Sequence, residues 1–220
     1  MKDKKNQRDS KVLSPKITSI NEEIYFLEKN INDEDCFSNI MVLDFDMSNE
    51  GASHVEVSEA IFKNMNFRDV KFPHIELIDV RFENCDLSNS NLNNGILHRV
   101  EMINCKLIGL DLADANLQNV TFNQCNGDYS NISFSTLKNV NFIESSFNNV
   151  SFENSKFSKV DFTTVNMRHV DISKAMVKGI DFTSSDIEGL IGDIRDLHGI
   201  IVTPMQALSL SRILGIVIKE

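Results

Sequence analysis

The side chains best suited to chemistry in this sequence are four cysteines, Cys36, Cys85, Cys105 and Cys125, and five histidines, His54, His74, His98, His169 and His198. A structural zinc site draws its ligands from closely spaced Cys or His pairs. Cys85, Cys105 and Cys125 instead recur every twenty residues, and no histidine falls in step with them. No nucleophile elbow, phosphate loop or metal motif occurs. The chain is therefore expected to be noncatalytic, with no metal and no cofactor. Equal spacing of this kind points to a structural period and predicts a buried thiol ladder, with Cys36 outside it.

The same period governs the apolar residues. In "NVNFIESSFNNVSFENSKFSKVDF" the rings of Phe142, Phe147, Phe152, Phe157 and Phe162 stand five residues apart. Neither a helix of 3.6 residues per turn nor a strand of period two would keep them on one side. A backbone that turns a corner at each repeat would. The register runs without insertion from Val57 to Ile187, and of its 27 positions 26 are Phe, Leu, Ile, Val or Met, the exception being Gly127. Two residues earlier the chain is small or β-branched, as at Ala60, Val80, Cys85, Ser90, Ala115 and Val160. Charged residues keep to the other three phases, so two residues in five face inward. Each buried Phe or Leu contributes about 1.5–3 kcal/mol relative to exposure.

"ANLQN", "SNLNN", "VSFEN" and "VDFTT" resemble the pentapeptide-repeat family, whose consensus is A(D/N)LXX. The resemblance implies an all-β solenoid, a right-handed quadrilateral β-helix with four pentapeptides per coil. The twenty-residue recurrence Val80, Val100, Val120, Val140, Val160 agrees with four sides. From 57 to 190 such a rod would be about 32 Å long at about 4.8 Å per coil. Gly127 removes one central side chain and is expected to leave a local hole or bend.

The segment 97–134 and the tail "VTPMQALSLSRILGIVIKE" further resemble the Qnr-type quinolone-resistance proteins, specifically the chromosomal, loop-free kind of Gram-positive bacteria. That resemblance implies a dimer joined near the C-terminus that binds DNA gyrase or topoisomerase IV as a mimic of duplex DNA and protects the enzyme from fluoroquinolones. Gram-negative plasmid-borne members carry two projecting loops, for which the unbroken register here leaves no room. The alternative is an interaction scaffold with no topoisomerase role.

A net charge of -10 disfavours direct nucleic-acid binding, which is driven by cationic side chains, and suits a basic partner. Between 57 and 190 there are 17 acidic and 12 basic residues. Duplex DNA of the same length carries about -19, so mimicry requires carboxylates concentrated on a face. Glu101, Asp161 and Asp181 share one side and Asp111 and Asp171 the opposite one, and these five form the candidate acidic partner-binding face.

Three segments are expected. Residues 1–36 form a polar N-terminal segment, flexible over 1–16, with a short capping helix over 19–31 from Ile20, Ile24, Leu27 and Ile31. Residues 37–190 form the β-helix, with an imperfect first coil where Asn49, Gly51 and Ser53 break the pattern. Residues 191–220 form the cap: an α-helix with Thr203 as N-cap, Pro204 first and Gly215 beyond its end, then "IVIKE" as a strand. Met205, Leu208, Leu210, Ile213 and Leu214 offer more apolar surface than one coil end needs, and are the candidate dimer interface. No membrane span, no small-molecule substrate and a cytoplasmic location are expected.

Overall fold

The computed structural model describes residues 12–18, 20, 22–24, 31–217 and 219. Its strands are β1 (Glu22–Ile24), β2 (Cys36–Ser38), β3 (Ile40–Leu43), β4 (Glu56–Lys63), β5 (Glu76–Glu83), β6 (Ile96–Ile103), β7 (Asn116–Asn123), β8 (Thr136–Ile143) and β9 (Lys156–Thr163). From β4 to β9 each strand pairs in parallel with the next, the paired residues standing twenty apart, as in Val80↔Val100. The result is a four-sided parallel β-solenoid closed by one short helix, α1 (Pro204–Leu210), and a 3-10 turn (Ser211–Leu214).

Each eight-residue strand covers two sides and bends between them. The other two sides are held by bridge ladders, Asn66↔Asp86↔Lys106↔Asn126↔Ser146↔Asn166 and Lys71↔Asn91↔Asp111↔Asn131↔Ser151↔Asp171. We number the sides in chain order from the coil that begins at Glu56, so that sides 1 to 4 are centred on Val57, Phe62, Phe67 and Phe72 and on the residues twenty apart from them.

The corners explain the polar residues of the repeat. Except at Ser184, the residue two after each central position up to Ile187 has a left-handed backbone, as at Asn64 (φ 54), Asp69 (φ 57) and His74 (φ 60). Asn, Asp, His and Gly tolerate that region best, and they fill most corners. The Asp or Asn before a central residue accepts a bond from the backbone N–H two residues on, as Asp111 does from Ala113 (3.1 Å) and Asp171 from Ser173 (2.8 Å). Small inward residues are satisfied too: Ser90 Oγ donates to Phe67 O (2.7 Å) and Ser155 Oγ to Ile132 O (2.6 Å).

The central residues stack into one continuous core. On side 2 the rings of Phe122, Phe142 and Phe162 lie 4.9 and 4.8 Å apart, nearly parallel. Gly127 leaves no hole: the ring of Phe147, one coil later, fills its place. Cys85, Cys105 and Cys125 form the expected buried ladder, with thiols near the carbonyls of Phe62, Phe82 and Met102. Hydrogen bonding to Cys105 and burial push the Cys85 and Cys125 thiols up.

The N-terminal expectations change. Residues 12–16 are not loose: the Leu13 N–H donates to Asn119 Oδ1 (3.4 Å) and the Lys16 N–H to Asp79 Oδ1 (2.8 Å), while Thr18 Oγ1 donates to Glu59 Oε2 (2.9 Å). This strap runs extended along the corner between sides 1 and 2, from the coil of Asn119 to that of Glu59, four successive coils. Residues 1–11 lie outside the described residues. In place of a helix, Glu22–Ile24 pairs in parallel with β3, Ile24 opposite Val42, because an unpaired coil edge is better satisfied by a strand than by a helix. Leu27, the remaining apolar position of that expected helix before Ile31, lies outside the described residues. The first coil is regular: Asn49, Gly51 and Ser53 occupy outward or corner positions while Met47 and Ala52 are buried. At the other end Ile216 and Val217 form no strand. Among the described residues no helix is long and apolar enough to cross a membrane.

Candidate binding faces

With the core filled, the outward side chains are what this molecule can offer a partner, and the sides differ. Side 1 changes sign along its length. Its first coils carry Glu56, Glu59, Glu76 and Asp79, and its last carry Lys138, Lys156, Lys159 and Lys178, all four lysines exposed and without an ion pair among the described residues. Asp79 is engaged by Arg99 (Nη2–Oδ2 2.6 Å) and by the strap. Burial works against its ionisation, but these bonds and the Arg99 charge together hold its carboxyl below the usual range.

Side 2 carries Glu101, Asp161 and Asp181 in one outward column. Glu101 is closely paired with Arg81 (Nη2–Oε2 2.9 Å), and Asp181 accepts bonds from Thr183 N–H (2.9 Å) and Oγ1 (2.6 Å). Side 3 is mixed: Asp86 is paired with Arg68 and Lys106, and Asp186 with Arg168. Asp186 is held low: burial opposes, while the Glu188 N–H and Arg168 outweigh it.

Side 4 carries Asp111 and Asp171 in one column and Asp114 at its corner, none in an ion pair among the described residues. The five carboxylates singled out from the sequence thus stand on two opposite sides and do not form one patch. Two residues that sequence reasoning passed over stand out here. Tyr129 and Phe134 are 66% and 55% exposed. They occupy the corners on either side of Asn131, with left-handed backbones of φ 63 and 59. Bulky side chains are disfavoured in that region, and such strain concentrates at sites of function. The available signal was an aromatic where the repeat calls for Asn, Asp or Gly.

The cap meets the last coil through Gln206. Its side chain donates to Phe182 O (2.9 Å) and Ser185 O (2.7 Å), and its Oε1 accepts from Thr203 N–H (2.8 Å), while Thr203 Oγ1 accepts from Gln206 N–H (3.2 Å). The five apolar residues proposed for a dimer divide. Leu210 and Ile213 pack on the core, whereas Met205, Leu208 and Leu214 are 73%, 47% and 50% exposed, joined by Ile216 and Val217.

Comparison with known proteins places the repeats. The model of the "Pentapeptide repeat region" matches residues 75–146 and that of "Pentapeptide repeats (8 copies)" matches 145–183. The uncharacterized protein YisX of Bacillus subtilis (strain 168) is 29% identical over 108 residues, 49% of this chain and 51% of that protein, so the chain spans about half the length of the curated relative it matches. Among solved structures, HetL of Nostoc sp. strain PCC 7120, a pentapeptide-repeat protein involved in heterocyst differentiation regulation, superimposes with a TM-score of 0.67 at 17% identity, covering 80% of this chain and 77% of HetL. QnrB1, a plasmid-mediated fluoroquinolone resistance protein, gives a TM-score of 0.39 at 21% identity over 91% and 97% of the two chains. The sequence matches and the four-sided fold agree: this chain belongs to the pentapeptide-repeat family.

Proposed function

We propose that this protein is a noncatalytic binding rod whose fourth side docks on a basic surface of a partner protein, and that the partner is a type II topoisomerase, DNA gyrase or topoisomerase IV, shielded thereby from fluoroquinolones. The observation that carries the docking face is the pair Tyr129 and Phe134, exposed at strained corners beside Asp111, Asp114 and Asp171, which form no ion pair among the described residues. Aromatic anchors within a charged surface are the usual composition of a binding hot spot. The topoisomerase rests on the Qnr-type resemblance of residues 97–134 and the tail. In this reading the exposed Met205, Leu208 and Leu214 join two rods end to end, giving a dimer about 65 Å long at about 4.8 Å per coil.

A second reading, a scaffold for another protein, is favoured by the sparse charge. Asp111 and Asp171 are three coils apart, about 14 Å, where duplex DNA has a phosphate charge every 1.7 Å or so. Gyrase supercoiling and topoisomerase IV decatenation assays, with and without ciprofloxacin, separate the two. Topoisomerase binding requires rescue or inhibition at micromolar protein; no effect of either kind leaves the scaffold.

A further inference from the structure

We infer that side 1 is a self-complementary surface on which a second copy of this chain docks antiparallel. The two ends of this side carry opposite charge, and the charges match in position as well as in sign. Glu56 and Lys156 occupy the same column, the residue before the centre, five coils apart; Glu59 and Lys159 occupy the corner column of the same two coils. A two-fold axis lying in the surface along the strand direction reverses the rod but keeps each column in place. Set between the coils of Ile96 and Asn116, it brings Glu56 opposite the second copy's Lys156 and Glu59 opposite Lys159, with both reciprocal pairs. This is an isologous contact with closed symmetry.

The rest of the side fits the same axis. Glu76 falls opposite Thr136 with Lys138 two residues further along that strand, and no two like charges of side 1 fall directly opposite; the two copies of Arg99, one coil apart across the axis, are each held by the Asp79 of their own chain (2.6 Å). Next to the axis the surface is less charged: Ile96 is 41% exposed, and Leu13, held on Asn119 by the strap, is 48% exposed. Exposed apolar side chains inside a charged rim follow the anatomy of a protein interface. Glu56 already accepts from the Cys36 thiol (3.6 Å) and Glu59 from Thr18, which holds both carboxylates in place for a cation. The contact is distinct from the end-to-end one, since it uses the flank of the rod.

The test is sedimentation of the full chain and its variants in about 50 mM and about 500 mM salt, each with and without Leu208→Asp to remove pairing at the cap. Lateral dimers are expected in the Leu208→Asp chain at low salt and to dissociate at high salt. Lys156→Glu/Lys159→Glu and Glu56→Lys/Glu59→Lys should each weaken dimerisation at least about tenfold. An equimolar mixture of the two should dimerise again, because all four ion pairs are then rebuilt between unlike copies. Circular dichroism checks that each variant is folded, and the single pair Glu56→Lys with Lys156→Glu, which leaves Thr18 its partner, repeats the test if the double variants are not. A Leu208→Asp chain that is monomeric at low salt overturns the inference. So does a dimer indifferent to the charge reversals, or a mixture that stays monomeric.

Discussion

The ring of Phe147 occupies the space that a side chain on Gly127 would need. A Cβ there would lie 2.7 Å from Phe147 Cδ1, 2.9 Å from Cζ and closer still to Cε1. Phe147 is 1% exposed and packs edge-on against Phe122 and Phe142, at 5.7 and 4.9 Å between centroids, so it has nowhere to retreat. The glycine and the extra ring volume are two halves of one packing solution.

Gly127→Ala should therefore destabilise by about 1–3 kcal/mol, the usual cost of overpacking a filled core. Thermal melting measures it. Adding Phe147→Leu should recover part of the loss; equal melting of parent and Gly127→Ala would show that the ring can move.

Phe134→Asn should separate stability from binding. Asn relieves a left-handed backbone that costs a bulky residue about 1–2 kcal/mol, so the melting temperature should hold or rise while any effect on topoisomerase falls. A variant that melts lower and still acts on the enzyme would contradict the role given to this corner.

Asp79→Asn should free the strap. Arg99 loses its carboxylate partner and the Lys16 N–H a charged acceptor, at a cost of about 1–3 kcal/mol. Hydrogen exchange should speed up at the Lys16 amide before the core amides respond. The pH dependence has the same origin. A carboxyl whose pKa is lowered by folding stabilises fully above its ordinary value of about 4 and loses that contribution as pH falls through the lower folded value. The protection of the Lys16 amide, the intrinsic exchange rate at each pH divided by the observed one, should accordingly fall on acidification below about pH 4 in the parent and show no such fall in Asp79→Asn.

Thr203→Ala should cost about 0.5–2 kcal/mol as a lost N-cap. Gln206→Ala should cost more, because it also strips the donors from Phe182 O and Ser185 O at the open end of the coil. Denaturant melts compare them, and an equal or smaller loss for Gln206→Ala would mean that water satisfies those carbonyls.

The five-residue phase, the thiol ladder and the Thr203 cap are legible in the sequence because each is set by residues close together or strictly periodic. The strap is not, since Leu13 and Lys16 bind through backbone N–H groups that any residue possesses. Near the start of the rod, Ile20, Ile24, Leu27 and Ile31 have helical spacing, yet Ile24 pairs with Val42, eighteen residues on, where later partners are twenty apart. That offset takes β1 out of the pentapeptide phase, so periodicity misleads there. The fit of Phe147 to Gly127 joins residues a full coil apart. Tyr129 and Phe134 do break the composition of the repeat, but what their position demands is visible only once the left-handed φ of the two corners is known.

One side per five residues and one circuit per twenty make the backbone a dial as well as a rod. Insertion of a whole coil lengthens the molecule by about 4.8 Å and leaves every side facing as before. Insertion of a single pentapeptide turns everything after it by a quarter circle, carrying the lysines of side 1 round toward the bearing of side 2 and the cap with them. Length and orientation can thus be altered separately, in steps of twenty and five residues.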